Sequence, residues 1–337
     1  MRGIVSLYYV AKLFNRKLLV NEDILGGAGR NYLVPAKSGG SPFGWISSLT
    51  KEVDRCRPMK ISATHILVEG YRNVMHLNNF SFEAFAHDDQ VVDVVSNKLW
   101  IPDMLLNDNL RAHPGLEEIR RLDKKGEIWH SALRALFSPG PHIVTLLERI
   151  EADHLPSGVF KVGLHVRSGD AQLGDKKYTT IRNFTKRDSL PCFPLRVFDE
   201  WNSIPLDVRE QKYPRGVVVF ITTNDSGILA FLKAELAALG ITASFDTETY
   251  ASVVRHIDYA SKGDDQTRTF LDWFLFTRMD LIIASHSGFS SSASRYRCTP
   301  IVVEDYWHLP HTDCHRWEVF KKSGMCLPSA NLTEHLT

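Results

Sequence analysis

His165, Arg167, Ser168 and Asp170 stand together where the apolar run beginning at Phe160 (FKVGLHVRSGD) turns polar. A buried parallel strand reads as a near-continuous apolar run, and ligands of open α/β sheets bind beyond the carboxyl ends of such strands. Arg167 brings a planar, permanently charged fork suited to phosphate, and Gly169 lets the backbone turn tightly beside it. The chemistry these residue types suit is recognition of a phosphate. Taken alone, they equally describe a strand-end arginine paired with Asp170 for structure.

Two further strand ends carry polar groups. The apolar run 216–223 (GVVVFITT) delivers Thr222, Thr223 and then Asp225. A carboxylate there can accept from a ring N–H and an exocyclic amine together, as in the reading of a guanine base, or it can cap the next helix. The run 281–285 (LIIAS) leads into SHSGFSSSA, residues 285–293. Small hydroxyl residues at a helix start offer backbone N–H groups and side-chain donors, a cradle for a diphosphate, unless they only cap a surface helix. Ser287 is flanked by Ser285 and Phe289 where a nucleophile elbow has glycines, which argues against a hydrolase.

The elements that must position these groups follow from periodicity. Ile4, Leu7, Tyr8, Ala11 and Phe14 predict a helix, and Leu18 to Val20 a strand. The glycine-rich stretches Leu25 to Arg30 and Lys37 to Pro42 predict a long polar loop. They have no strand-turn-helix context that would make them a phosphate loop. Strands are predicted at Ser62 to Val68 and Asn73 to Leu77, and helices at Gly115 to Asp123 and Glu127 to Phe137. Two prolines and a glycine in FSPGPH, residues 137–142, mark a break, and the expected domains are 1–150 and 151–337. The first opens directly into a helical pattern, which leaves room for a domain start upstream.

Beyond the break the alternation is regular. Val144, Leu147 and Ile150 repeat at helical spacing, and the Phe160 strand follows. Next come the 216–223 strand and a turn with Ser226 as N-cap. A helix from Ile228 to Leu239 closes at Gly240, and Ile241 to Phe245 reads as a strand. Thr267 to Met279 reads as a helix, and Leu281 to Ser285 and Pro300 to Val303 as strands. Strands alternating with helices predict an α/β fold whose parallel sheet is covered on both faces. All its strands deliver their carboxyl ends to one edge, where the three polar strand ends converge.

Composition bounds the function. The chain has 337 residues, 44% of them hydrophobic, enough for two cores. Its 40 basic and 39 acidic residues leave a net charge of +1, which gives no global field for nucleic acid or an anionic membrane, so an anion site must be local. No apolar run approaches a membrane span, since Ile4 to Ala11 is interrupted by Lys12, Arg16 and Lys17, and the chain is expected to be soluble. The cysteines, Cys56, Cys192, Cys298, Cys314 and Cys326, are odd in number and lack close spacing, which does not indicate a disulfide scaffold. Glycosylation sequons occur at Asn79, Asn183, Asn224 and Asn331, and Asn224, at a strand end, is expected to be unmodified. The cluster EDYWHLPHTDCH, residues 304–315, has ligand spacings of no standard metal site and is interrupted by Pro310. It is expected to rim a cleft, with Tyr306 and Trp307 stacking on a sugar or packing the core edge.

HVRSGD (165–170), FITTND (220–225) and DLIIASHSGFS (280–290), in this order and spacing, resemble the three donor-site motifs of the fucosyltransferase superfamily. That superfamily includes the α-1,2, α-1,6 and protein O-fucosyltransferases. Arg2 to Val20 resembles its first helix and second strand, although the glycine-rich turn that normally precedes them is absent. The resemblance extends over the C-terminal domain and hardly at all over residues 25–140.

It implies a GT-B architecture: two Rossmann-like domains with parallel sheets and an interdomain cleft. It also implies an inverting transfer of L-fucose from GDP-fucose to a glycan or protein hydroxyl, with no metal and no cofactor. In the family pattern Arg167 binds the donor diphosphate and His165 and Asp225 hold the guanosine. Ser287, Gly288, Phe289 and Ser290 complete the pyrophosphate site. Asp175 stands where the α-1,6 enzymes carry a carboxylate suited to take the acceptor proton; it also reads as a solvated loop aspartate beside two lysines. Asp170 would orient Arg167. Ser168 replaces a second arginine of the α-1,6 enzymes, and the Gly169-Asp170 pair is closer to the α-1,2 and protein O-linked groups. Another nucleotide sugar on the same scaffold, or a catalytically silent glycan-binding protein, remains open. The expected location is the Golgi or endoplasmic reticulum lumen for a eukaryotic fragment without its anchor, and otherwise the cytoplasm.

Overall fold

The computed structural model describes residues 2–15, 18–21, 33–35, 43–46, 63–68, 91–96, 101–167, 190–251, 266–285, 287–304 and 317–319. The chain divides into two compact units that part between Gly140 and Pro141. The N-terminal unit contains α1 (Arg2–Leu13), β1 (Leu18–Asn21), β2 (Leu33–Pro35), β3 (Phe43–Ile46), β4 (Ala63–Val68) and β5 (Val91–Ser96). It continues with α2 (Ile101–Leu106), α3 (Pro114–Lys124), α4 (Ile128–Leu136) and β6 (Phe137–Pro139). β1 pairs with β3 and β4 with β5, both in parallel, while β2 and β6 are antiparallel. α1 buries Ile4, Val5, Tyr8 and Tyr9, and the Tyr9 hydroxyl donates to the Ile128 carbonyl at 2.8 Å, joining α1 to the start of α4. The punctuated stretch predicted as a break is structured. Leu33 pairs with Pro139 at the end of β6, and Pro141 opens the next helix, where its missing N–H costs nothing. The two glycine-rich stretches and the strand predicted at Asn73 to Leu77 lie outside the described residues.

The second unit runs α5 (Pro141–His154), β7 (Phe160–Val166), α6 (Cys192–Ser203), α7 (Leu206–Lys212), β8 (Val217–Thr223) and α8 (Ser226–Ala238). It ends with β9 (Ser244–Phe245), α9 (Thr267–Phe276), β10 (Leu281–Ala284), α10 (Gly288–Arg297), β11 (Ile301–Glu304) and β12 (Trp317–Val319). One sheet holds these strands in the order β12-β11-β10-β7-β8-β9, all parallel except the edge strand β12. The chain builds outward from β7 through β8 to β9, then crosses to β10 and builds the other way. β7 and β10 therefore flank the topological switch point of a doubly wound sheet.

Side-chain alternation along β7 explains how both faces are covered. Phe160, Val162, Leu164 and Val166 join Val219, Ile221, Leu281 and Ile283 in one core, packed against Phe193 and Val197 of α6 and Leu229, Leu232 and Leu236 of α8. The residues between them point to α9: a Cβ on Gly163 would lie 2.6 Å from the Phe276 ring, and the ring of His165 lies 6.0 Å from it. Glycine at 163 lets α9 sit directly on the sheet. All ten residues of α9 are buried, including Arg268 and Asp272.

Several local expectations are corrected. Asp225, not Ser226, is the N-cap of α8, its Oδ1 accepting from the N–H groups of Gly227 and Ile228 at 2.8 and 3.1 Å. One side-chain oxygen there serves two of the orphan amides of the first turn. The strand predicted from Ile241 shortens to Ser244–Phe245, because the Ile241 N–H turns back to the Leu236 carbonyl to end α8 beside Gly240, whose φ is 81°. Cys192 and Cys298 are both disulfide-bonded, which cysteine count and spacing did not indicate. Among the described residues no helix is long and apolar enough to cross a membrane.

Candidate functional site

The site is built at the carboxyl ends of β7, β8 and β10. β7 ends at Val166, and the backbone N–H of Arg167 donates to the Ser285 hydroxyl at 2.9 Å. The Ser285 N–H donates to the His165 carbonyl at 2.9 Å, extending the parallel ladder one step past β10. This double link holds the root of the half-buried Arg167 side chain at the switch point.

Two residues later Ser287 caps α10 with extended backbone, and its hydroxyl accepts from the Phe289 N–H at 3.2 Å. The helix N-terminus, with the positive end of its dipole, thus starts beside the ends of β7 and β10. A Cβ on Gly288 would meet nothing within 4 Å, so the first turn is open on that side. The serine run divides by role. Ser287 caps the helix and Ser290 lies against His165, whereas Ser292 accepts from Trp273 Nε1 at 2.9 Å and Ser294 donates to the Thr299 carbonyl at 2.5 Å. The first ties α10 to α9, and the second closes the C-terminal end of α10.

His165 is 8% exposed, and its Nδ1 lies 3.3 Å from Ser290 Oγ, with the Phe289 ring at 5.3 Å and tilted against the imidazole. Burial, reinforced by the charge of Arg167, pushes its pKa down to about 3. The imidazole is neutral at physiological pH and offers hydrogen bonds rather than charge.

Beside it, in register on β8, Thr222 donates from Oγ1 to Asp272 Oδ2 at 2.6 Å. Thr247, fully buried just after β9, donates to Asp272 Oδ1. Asp272 is 1% exposed on α9, one turn before the Phe276 that packs on His165. Burial raises its pKa to about 6, a shift held back by the two threonines and the nearby Arg268. Sequence reading missed Asp272 and Thr247, and read Ser285 in the strand-end run without its link to Arg167. The available signal was a carboxylate and a guanidinium four residues apart inside the otherwise apolar helix TRTFLDWFLF.

The structure brings His165, Arg167, Ser287, Gly288, Phe289 and Ser290 to one edge of the sheet, and Asp225 to the end of β8 as a helix cap. Asp170, Asp175 and Ser168 lie outside the described residues, as does the cluster after Glu304.

No protein-family model matches the chain, and no curated protein matches it in sequence. Solved structures do match in fold. An arginine-to-lysine variant of Arabidopsis thaliana FUT1 in complex with GDP superposes with a TM-score of 0.58 at 15% identity, covering 90% of this chain and 67% of that one. The fucosyltransferase NodZ from Bradyrhizobium gives 0.46 at 15% identity, covering 90% of each chain. POFUT1 in complex with GDP gives 0.46 at 12% identity, covering 88% of this chain and 91% of that one. The chain has the fucosyltransferase-like GT-B fold, shared with proteins that are glycosyltransferases.

Proposed function

We propose that this protein is an inverting glycosyltransferase that moves L-fucose from GDP-fucose to a hydroxyl of a glycan or glycoprotein, without a metal ion. The observation that carries the reading is the joint at the switch point: Arg167, rooted through Ser285, beside the N-terminus of α10. The fold it shares with the GDP-bound FUT1 variant supports the same nucleotide.

In this reading Arg167 grips the diphosphate, and the first turn of α10, with Ser287, Gly288, Phe289 and Ser290, supplies further donors. The acceptor oxygen attacks the anomeric carbon from the face opposite GDP, the carbon–oxygen bond to the β-phosphate breaks, and its electron pair leaves with GDP. Asp175 takes the acceptor proton and Asp170 orients Arg167. The charge developing on the leaving diphosphate is met by a fixed guanidinium and oriented amides, which lower the barrier without reorganising at the moment of transfer.

For the guanosine, His165 is joined by a carboxylate. Asp225 has one oxygen committed to its cap. Asp272 shares the His165 face of the sheet and is the better placed of the two, because each carboxylate oxygen has two lone pairs and the threonines use one apiece.

The test is thermal stabilisation by GDP, UDP, ADP and CDP, followed by hydrolysis of GDP-fucose in EDTA. A protein is stabilised by whatever binds its native state. GDP is expected to raise the melting temperature alone among the four, and hydrolysis to survive chelation. Stabilisation by another nucleotide overturns the donor assignment, and loss of hydrolysis on chelation overturns the metal-free mechanism.

A further inference from the structure

We infer that Cys192 and Cys298 belong to two separate disulfides, each closed with one of the chain's other three cysteines, and that the protein therefore matures in an oxidising compartment and keeps one free thiol. The inference is independent of the donor and of the reaction.

Both cysteines are disulfide-bonded. A bond between them would need their Cα atoms within about 4.4–6.8 Å. The sheet forbids it. Cys192 opens α6, whose Phe193 and Val197 pack on the face of the sheet that also receives α8. Near the other end of α6, Trp201 stacks on Phe160, the first residue of β7, with ring centroids 6.0 Å apart. α6 therefore ends at the amino edge of the sheet, and at a rise of about 1.5 Å per residue Cys192 lies about 13 Å nearer the carboxyl edge. Cys298 is placed the opposite way. It follows α10, which is tied to α9 on the other face through Ser292 and Trp273. α10 starts at the carboxyl edge, and just beyond Cys298 the Pro300 carbonyl accepts from the Ile282 N–H at 2.9 Å and leads into β11. The two cysteines thus sit on opposite faces and toward opposite edges, with the strands between them.

Cys298 also occupies a backbone position that disfavours it. As the C-cap of α10 it has φ 60° and ψ 31°, the left-handed conformation in which glycine is the usual residue. The disulfide gives a side chain at that position a purpose.

Of the five cysteines, four then enter the two bridges and one stays a thiol. The partners are drawn from Cys56, Cys314 and Cys326, which lie outside the described residues. Each bridge forms as two cysteine thiols give two electrons and two protons to an oxidant disulfide, which leaves as two thiols. Such bonds persist where the thiol pool is oxidising, and are rare against cytosolic glutathione.

The test is non-reducing peptide mapping of the full chain purified from a secretory host, with iodoacetamide blocking free thiols before digestion. Cys192 and Cys298 are expected in two different cross-linked peptides, and one other cysteine is expected alkylated. Thiol titration in denaturant, which does not depend on the variants folding, should then find one more thiol in Cys192→Ser and in Cys298→Gly than in the wild type, and two more in the double variant. If the pair shared one bridge, the double variant would show no more thiols than the wild type. That result, a peptide joining Cys192 to Cys298, or recovery of either as an alkylated cysteine overturns the inference. Full reduction with dithiothreitol should lower the melting temperature by on the order of 10 °C. The same two bridges in protein isolated from a reducing cytosol would overturn the assignment of compartment.

Discussion

Arg167 donates its backbone N–H to the Ser285 hydroxyl at 2.9 Å, and Ser285 returns its own N–H to the carbonyl of His165 at the same distance. The residue expected to grip a diphosphate is therefore anchored through its backbone to the neighbouring strand, across the switch point. Ser285→Ala would leave a partly buried N–H without its partner. It is expected to cost about 1–2 kcal/mol of stability, measured by denaturant unfolding. Turnover should fall further than stability accounts for, because the guanidinium loses its fixed root. Unchanged turnover in a destabilised Ser285→Ala protein would reduce the link to a structural one.

For Arg167 itself, lysine keeps the charge and loses the fork. If two parallel hydrogen bonds hold the diphosphate, Arg167→Lys should lower turnover by on the order of a hundredfold or more. The larger effect falls on turnover because leaving-group charge is greatest in the transition state. Melting temperature should hardly move. Near-normal transfer by the lysine variant, measured with GDP-fucose as donor, would make Arg167 a structural residue.

Asp225 allows a clean separation of two roles. Its Oδ1 caps α8 through the amides of Gly227 and Ile228, and loss of such a cap costs about 1 kcal/mol. Asp225→Ser keeps a capping oxygen and removes the carboxylate. If Asp225 serves only the helix, the serine variant should match wild type in both melting temperature and GDP affinity. A selective loss of GDP affinity would return the base to Asp225 and take it from Asp272.

Gly163 sets the distance between β7 and α9. A methyl group there would meet the Phe276 ring at 2.6 Å and Met279 at 3.0 Å. Gly163→Ala should destabilise by about 1–3 kcal/mol through overpacking, read from chemical denaturation. Because Phe276 also packs on His165, GDP affinity should drop even in the folded fraction.

Most of the C-terminal sheet was legible in the sequence because β7, β8, β10 and β11 are apolar runs that end in polar residues and α8 carries its own start and stop signals, whereas α6, α7 and the edge strand β12 were not read. His165, Arg167 and the serine run were visible for that reason. Ser285 was read as the end of a strand, and nothing local reveals that its hydroxyl reaches across to Arg167. Asp272 was hidden differently: inside TRTFLDWFLF a carboxylate breaks the apolar pattern, but its partners Thr222 and Thr247 lie 50 and 25 residues away. Such contacts are made by the crossover of the sheet and leave no spacing to read. The N-terminal unit was less legible because its strands are short and pair across long intervals, as Leu33 does with Pro139.

His165 and Asp272 should give stability opposite dependences on pH. The pKa of His165 in the folded protein is about 3, below the 6.5 of a free histidine, so at pH between these values the unfolded chain holds a proton the folded one refuses. Its contribution is complete above about pH 6.5 and is lost as pH falls toward 3. Asp272 is raised to about 6 from 3.8, so the folded chain holds the extra proton; its contribution is complete below 3.8 and is lost as pH rises through 6. The groups facing it include Arg268 and Asp246, and Asp246 is itself held below the usual carboxylate range, most strongly by Lys233. The melting temperature of Asp272→Asn relative to wild type should therefore climb between pH 4 and 7, whereas that of His165→Gln relative to wild type should climb as pH falls from 7 to 4. GDP needs the ionised carboxylate as acceptor, so wild-type affinity should weaken below about pH 6, and Asp272→Asn should lack that limb. Two parallel, pH-independent offsets in melting temperature would show that neither burial shifts its group, and a GDP affinity flat from pH 5 to 8 would remove Asp272 from the base site.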